Sequence, residues 1–150
     1  ANWQKVLAEA TYKYAGSVYK DMAKLKTILE AKGDTTKQLK KYIKHWGELK
    51  GFSLALQTGK DNLGETATRL NRMIGFGPLM PNLSQVVDID SKGNYVRDQG
   101  GSWGKYMVHM AKIQKLMVDK FGVKARNNAI SGGIAELTKT LGGGSSAEND

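Results

Sequence analysis

Apolar residues recur every three or four positions over most of the first sixty residues, with polar residues between them. This spacing places the apolar side chains along one side of an α-helix, and it predicts a long first helix over residues 2–32. Gly33 is expected to end this helix, because glycine adopts the left-handed conformation without a Cβ clash. Asp34 is expected to cap the next helix. The first stripe comprises Trp3, Val6, Leu7, Ala10, Tyr14, Val18, Met22, Leu25, Ile28 and Leu29.

The same spacing continues after Asp34 and predicts a second helix over residues 35–58. Its stripe comprises Leu39, Ile43, Trp46, Leu49, Phe52 or Ser53, and Leu56. Gly47 and Gly51 lie inside this helix, where each glycine costs about 1 kcal/mol relative to alanine. We therefore expect another backbone to approach closely at this pair. Gly59 is expected to end the helix, and Asp61 to cap a third helix over residues 61–74.

Residues 75–101 break the helical pattern, because their glycines and prolines disrupt helix interiors. Two short β-prone runs, 86–90 and 94–97, flank a turn at 91–93 and predict a small β-hairpin. The alternating acids Asp88 and Asp90, followed by Gly93, are also typical of the beginning of a calcium loop that starts at Asp88. However, Lys92 and Gln99 occupy the fifth and twelfth loop positions, where an oxygen donor and a bidentate glutamate are expected. The hairpin is therefore the preferred interpretation.

A fourth helix is expected from Ser102, with Gly122 as its stop, and a weaker final helix over 131–141. Residues 142–150 have the composition of a flexible tail. The predicted fold class is all-α, an antiparallel helical bundle of four to five helices with a small β-hairpin insertion. The bundle domain spans 1–141, and no apolar run is long enough to cross a membrane.

Composition and charge narrow the classes of function. The chain has no cysteine, which excludes disulfides, thiol nucleophiles and cysteine-based metal sites. Its net charge is +9, and the excess is concentrated in the first third, most densely at Lys37, Lys40, Lys41 and Lys44. Such a patch is typical of a surface that binds nucleic acid, anionic lipid or an acidic protein. A solvated helix face is the preferred alternative, because arginine is scarce and no nucleic-acid-binding motif is present.

His45 and Glu48 form the sharpest candidate site. Residues three apart on a helix lie on the same side, so both side chains can reach one metal ion, and imidazole and carboxylate ligands suit iron or zinc. Two ligands are too few, and Asp21, Glu9 and His109 could join only if their helices face this one. The alternative is a surface or interfacial polar pair beside a buried Trp46. No acid–base pair or nucleophile indicates an enzyme.

The sequence resembles the C-terminal half of an uncharacterised bacterial envelope-protein family that is helical and similar to imelysins. The resemblance covers roughly residues 2–82 and is most specific in a His-Trp-x-Glu-x-Lys-x-Phe run. The segments that carry it are 2–6, 19–22, 45–52, 54–57 and 74–75. The N-terminal half of the family has no counterpart here, so the expected alternatives are a fragment, one half of a cleaved pair, or a relative with only this half.

This resemblance implies a periplasmic or cell-surface protein, often a lipoprotein, that is found beside imelysin-type iron-uptake proteins. Imelysins also have a Gly-x-His-x-x-Glu motif that is thought to bind metal. His45 and Glu48 match this motif, whereas Ile43 stands at the position of its glycine. The resemblance establishes no enzymatic activity.

Three hypotheses of function follow. The first is a non-enzymatic helical binding or assembly module of a bacterial envelope, linked to iron or haem acquisition. The second is a structural interaction subunit of a homo- or hetero-oligomeric assembly. The third is a basic protein that binds nucleic acid or an anionic surface, and it predicts an affinity that falls steeply with salt.

Overall fold

The computed structural model describes residues 2–58, 63–80, 86–97, 102–125 and 128–130, and these residues are mostly helical. The helices among them are α1 (Asn2–Glu30), α2 (Thr36–Gln57), α3 (Glu65–Ile74) and α4 (Ser102–Phe121). The predicted all-α class is confirmed. None of the described helices combines the length and the apolar character needed to cross a membrane.

The observed ends of α1, α2 and α4 lie close to the predicted ones, whereas α3 begins at Glu65 rather than near residue 61. Gly122 has a φ of +68° directly after α4, which confirms it as the stop of that helix. Some predictions lie outside the described residues: Gly59, Asp61, the helix over 131–141 and the tail over 142–150.

The core forms where α1 packs against α2 on one side and α4 on another, and where α3 packs against both α4 and α2. Tyr14 of α1 stacks on Phe52, and Asp21, further along α1, contacts residues earlier in α2. The two helices are therefore antiparallel. The wholly buried side chains include Val18, Met22, Leu25, Tyr42, Leu49, Leu56, Leu70, Met110, Ile113 and Met117. Complete burial of one large aliphatic side chain contributes roughly 1.5–3 kcal/mol.

Two members of the first predicted stripe do not belong to the core. Trp3 is 48% exposed and Val6 is 63% exposed. At about 100° per residue, Val6 lies on nearly the opposite side of α1 from the buried Ala15. Trp3 lies in the first turn of α1. The stripe prediction is therefore wrong for Trp3 and Val6, whereas Leu7 at the same end packs against the core.

The connection between α1 and α2 is stabilised by hydrogen bonds from both helices. The amide of Gly33 donates to the Ile28 carbonyl at 2.8 Å, and the amide of Lys32 donates to the Leu29 carbonyl at 3.0 Å. The left-handed residue of this motif is Lys32, with a φ of +56°, so the prediction that Gly33 takes that conformation is wrong. Gly33 follows this left-handed residue, and its amide makes the hydrogen bond to Ile28 that completes the motif.

The start of α2 is capped by Asp34, which lies two residues before the first helical residue. The Asp34 carboxylate accepts hydrogen bonds from the Thr36 amide at 3.0 Å and from the Thr36 hydroxyl at 2.7 Å. These bonds lower the pKa of Asp34, because they stabilise its charged form. Asp34 therefore supplies the predicted capping side chain, although Thr35 is the boundary residue of the helix.

Two short strands, β1 (Val86–Ile89) and β2 (Tyr95–Arg97), pair antiparallel, with Ile89 opposite Tyr95. The turn between them includes Gly93, which has a φ of +83°. One carboxylate oxygen of Asp90 accepts hydrogen bonds from the amides of Lys92 and Asn94 at 2.9 Å and 2.8 Å. This carboxylate therefore stabilises the turn.

Residues 128–130 attach to the groove between α1 and α4. The Asn128 side chain donates to the Lys13 carbonyl and to the Ser17 hydroxyl, and it accepts from the Lys20 ammonium group. Its backbone carbonyl accepts from the Gln114 amide group, whose oxygen accepts from the Ile130 amide. These bonds hold the segment against both helices.

This attachment requires a glycine on α1. A Cβ atom at Gly16 would lie 2.0 Å from the Asn128 carbonyl oxygen and 2.8 Å from the Gln114 side-chain nitrogen. At Gly47 and Gly51, by contrast, no described atom lies within 4 Å of such a Cβ. The predicted close approach at Gly47 and Gly51 is therefore wrong within the described residues. Both glycines lie on the exposed side of α2, away from Tyr42 and the other buried residues of that helix.

Candidate functional site

The candidate site lies where the middle of α2 crosses the middle of α1. Trp46 is buried, with its indole nitrogen donating to the Tyr106 hydroxyl at 2.6 Å. Because Trp46 anchors this turn in the core, the neighbouring His45 and Glu48 are placed at the edge of the interface, where both are partly exposed. The side chains of His45 and Glu48 therefore each contact a residue of α1.

His45 is held by a buried carboxylate. Its Nδ1 lies 2.5 Å from Asp21 Oδ2, and the Asp21 side chain is only 6% exposed. The other carboxylate oxygen of Asp21 accepts from the Gln38 side-chain amide at 2.9 Å. A buried carboxylate needs such partners, because its desolvation is costly. Both of its oxygens therefore have a polar partner on α2.

This contact determines how the imidazole can react. An ionised carboxylate only accepts hydrogen bonds, so it selects the form of His45 in which Nδ1 donates. The other ring nitrogen, Nε2, makes no hydrogen bond with a described residue. The His45 side chain is 24% exposed. Nε2 is therefore the nitrogen that can accept a proton or bind a metal ion.

Glu48 meets Tyr14 of α1. A hydrogen bond with the Glu48 carboxylate, assisted by partial burial and by the negative charge, raises the pKa of the Tyr14 hydroxyl. The Tyr14 ring stacks on Phe52 at a centroid distance of 5.5 Å, and its centroid lies 6.0 Å from that of His45. Tyr14 therefore lies among three side chains from successive turns of α2.

The other ligands that the sequence suggested do not complete a metal cluster. Among the described residues, no three histidine, cysteine, aspartate or glutamate side chains come together as metal ligands. Asp21 does face His45, but through the Nδ1 contact. Glu9 is exposed on α1, and the His109 ring on α4 packs at 6.3 Å from that of Tyr106. The pairing of His45 and Glu48 as metal ligands stays a prediction.

Sequence reasoning did not identify Tyr14 or Gln38 as parts of the site. The signal for Tyr14 was present, because it lies seven residues, or about two turns, before Asp21 on α1. Residues seven apart lie on one side of a helix. Both therefore face the same side of α2, although only the antiparallel register shows which α2 residues they meet.

A second polar network lies deeper, beside the site. The Tyr106 hydroxyl, which accepts from Trp46, donates to the Ile74 carbonyl at 2.6 Å. The Lys50 ammonium group donates to the Gly75 carbonyl at 2.9 Å, and burial lowers its pKa. The Tyr42 hydroxyl donates to the Leu79 carbonyl at 2.7 Å. Together these bonds join the end of α3 and the following loop to α2 and α4.

The basic residues of α2 and several apolar residues are displayed to solvent. Lys37, Lys40, Lys41 and Lys44 are all exposed. Ile43 is 42% exposed, Leu54 is 46% exposed, and Phe76 is wholly exposed on the loop after α3. Ile43 and Leu54 lie within about 20° of each other around the helix, on its outer face. This outer face also contains Gly47 and Gly51.

Comparison with known proteins found no protein family that matches the chain, and no curated protein or solved structure that is similar to it.

Proposed function

We propose that this protein is a non-enzymatic helical binding module of a bacterial cell envelope, which binds a metal ion through His45 and Glu48 in connection with iron or haem acquisition. The observation that carries the metal-binding part is the 2.5 Å contact between the buried Asp21 carboxylate and His45 Nδ1. The periplasmic or cell-surface location rests on the family resemblance.

The Asp21 contact is the arrangement that metal-binding histidines use. Such a histidine usually donates its second ring N–H to a carboxylate or carbonyl, which fixes the ring orientation and raises the basicity of the coordinating nitrogen. Here Nε2 of His45 is the coordinating atom. Glu48, one turn further along α2, supplies a carboxylate on the same side of the helix. This mixture of nitrogen and oxygen donors suits iron.

Metal analysis of protein purified without chelator tests this proposal. We expect bound metal in the wild type and its loss in His45→Ala. His109→Ala is the matched control, because it removes the chain's other histidine and should leave the metal content unchanged. Asp21→Asn should weaken metal binding by roughly 10–100-fold. Equal metal content in the wild type and His45→Ala would remove the site from the account.

A second candidate function is an assembly subunit, and the outer face of α2 favours it. Ile43 and Leu54 are large apolar side chains that remain 42% and 46% exposed on one side of the helix. Light scattering over a concentration series tests this function. We expect association of the wild type to be weakened in Leu54→Glu, whereas a monomer at every concentration would exclude self-assembly through this face.

A further inference from the structure

We propose that the outer face of α2 binds an acidic amphipathic helix of another protein. The inference rests on the second candidate function and deepens it, because it names the chemistry of the partner that covers this face. It uses none of the residues of the metal site. Two groups of side chains on α2 carry it, namely four exposed lysines and the exposed apolar residues Ile43 and Leu54.

The charge of this helix is the first argument. Helix α2 contains five lysines and one acidic residue, Glu48. Four of the lysines are exposed and form no ion pair with a described residue: Lys37, Lys40, Lys41 and Lys44. Their positive charge is therefore not neutralised within the described part of the chain. A partner with acidic side chains complements this charge, and such complementarity guides association and fixes the register of the partner.

The position of the apolar residues is the second argument. At about 100° per residue, four exposed side chains fall within about 100° of one another around α2: those of Lys40, Ile43, Lys44 and Leu54. The two apolar residues lie roughly 16 Å apart along the helix axis, which is about three turns. A partner helix with apolar residues three turns apart can bury both of them, while acidic residues on its adjacent side meet the lysines.

The middle of the face is open to a partner backbone. Gly47 and Gly51 occupy the turns between the two apolar residues, and no described atom lies within 4 Å of a Cβ built at either glycine. Neither glycine has a positive φ. The described fold therefore does not require glycine at these positions, where it lowers helix stability. Without side chains there, a partner helix can pack close to α2 and contact the apolar residues on both sides.

The same residues favour a protein helix over other partners. Surfaces that bind nucleic acid combine arginine with exposed aromatic rings, whereas α2 has no arginine and its aromatic residues face the core or Tyr14. Helices that bind membranes insert a broad apolar side, but the broad apolar side of α2 is buried in the core. A second copy bound through its own outer face would bring the same lysines, so an acidic helix gains more from this face.

Fluorescence anisotropy with a labelled synthetic helix tests the inference on the whole chain. The probe has glutamates on one side and leucines on the other, and it matches the distance from Lys37 to Leu54, about 25 Å or roughly 17 residues. We expect the wild type to bind it with an affinity that falls as salt rises. A probe with lysines in place of the glutamates should not bind. A probe with glutamines in place of the leucines should bind at least about tenfold more weakly.

Two double variants locate the binding face. Lys40→Gln combined with Lys44→Gln should weaken binding about fivefold at low salt, because two charge pairs with the probe are lost. Ile43→Ala combined with Leu54→Ala should weaken binding by about tenfold or more, because the apolar contacts with the probe are lost.

Each double variant has a matched control outside α2. Lys105→Gln combined with Lys124→Gln makes the same change of net charge at exposed lysines elsewhere in the chain. Val6→Ala shortens an apolar side chain that is exposed on α1. Neither control should change the affinity by more than about twofold, since distant surface charges are screened by salt. Circular dichroism should show the wild-type helix content in every variant, so that lost folding is not mistaken for a lost contact.

The outcomes separate this inference from the second candidate function. If the control at Lys105 and Lys124 weakens binding as much as the α2 lysine variant, net charge alone attracts the probe and the inference is overturned. If double-stranded RNA or phosphatidylglycerol vesicles bind through the α2 lysines more tightly than the probe, the face binds a polyanion and the inference is also overturned. If Leu54→Glu weakens self-association but the probe does not bind, the assembly function stands and this inference fails. If neither self-association nor probe binding occurs, both fail.

Discussion

Replacing Gly16 by alanine tests whether residues 128–130 are packed against α1 as described. In a solvated helix this change would stabilise by about 1 kcal/mol, because alanine is the better helix former. Here the new Cβ would lie 2.0 Å from the Asn128 carbonyl oxygen and 2.6 Å from the Asn128 Cβ. Backbone cannot give way by that much while the segment stays in place. The segment must therefore move away from α1.

The cost follows from the hydrogen bonds that the movement breaks. Three of the bonds to residues 128–130 are partly buried: Gln114 to Asn128, Asn128 to Ser17, and Ile130 to Gln114. At about 1 kcal/mol net for each bond, their loss amounts to roughly 3 kcal/mol. Subtracting about 1 kcal/mol for the improved helix propensity leaves a net destabilisation of about 2 kcal/mol.

Urea unfolding of Gly16→Ala measures this effect, with Gly47→Ala as the matched control. The control makes the same change in a helix at a position where no described atom lies within 4 Å, so it should stabilise by up to about 1 kcal/mol. With a typical slope of about 2 kcal/mol per molar urea, the Gly16→Ala midpoint should fall by about 1 M. If both variants gain stability equally, the described packing of Asn128 is refuted.

Three further changes test other parts of the fold. Lys32→Gly should stabilise by about 1 kcal/mol in thermal unfolding, because lysine is strained at a φ of +56°; an unchanged midpoint would contradict the assigned turn. Asp34→Ala should destabilise at neutral pH, because the Thr36 bonds stabilise the charged carboxylate and lower the Asp34 pKa. This difference should begin to shrink as the pH falls below about 4, the ordinary aspartate pKa, and should disappear only below the lowered pKa of the folded protein. A pH-independent difference would argue against the charged cap. Tyr106→Phe should lower the free energy of unfolding in urea by about 2–4 kcal/mol, because the Trp46 indole N–H and the Ile74 carbonyl both lose their buried partner. A decrease below about 1 kcal/mol would contradict that network.

Much of the helical fold could be predicted because a helix core is encoded by local periodicity. Val18, Met22 and Leu25 belong to the predicted stripe, and all three are wholly buried. Their spacing reports which side of one helix is apolar without reference to the rest of the chain. The same information locates the end of α1 and the start of α2, because Gly33 and Asp34 interrupt the apolar pattern there.

Contacts between distant segments were not predictable in this way. Gly16, Gly47 and Gly51 are all glycines inside helices, and nothing local distinguishes them. Of these three glycines, only Gly16 is approached by the backbone of another described segment, and the residue that approaches it, Asn128, lies far along the chain. The position of Gly47 could have been judged from the helical angle, since it lies on the side of α2 opposite Leu49. The four-residue spacing of Gly47 and Gly51 suggested a close approach of another backbone, and no such approach is present among the described residues.

The candidate site was predicted in part for the same reason. His45 and Glu48 were identified because their separation of three residues defines a shared helix side. Asp21 was named only as a residue that could join if its helix faced α2, and it does contact His45. Its role is to hold Nδ1. Whether Asp21 acts as a metal ligand or positions the histidine depends on which ring nitrogen contacts the carboxylate, and no sequence pattern specifies this. Tyr14 was missed because its place beside Glu48 depends on the register of α1 and α2.

Nitrogen NMR of the His45 ring tests the central claim most directly, namely that Asp21 fixes one ring nitrogen and leaves the other for a metal ion. At a pH where the imidazole is neutral, we expect the proton to be on Nδ1, and we expect the Nε2 resonance to shift when zinc, a diamagnetic substitute for iron, is added. Asp21→Asn should reduce both the preference for this tautomer and the response to zinc. A ring that carries its proton on Nε2, or whose Nε2 signal does not respond to saturating zinc, would contradict the account.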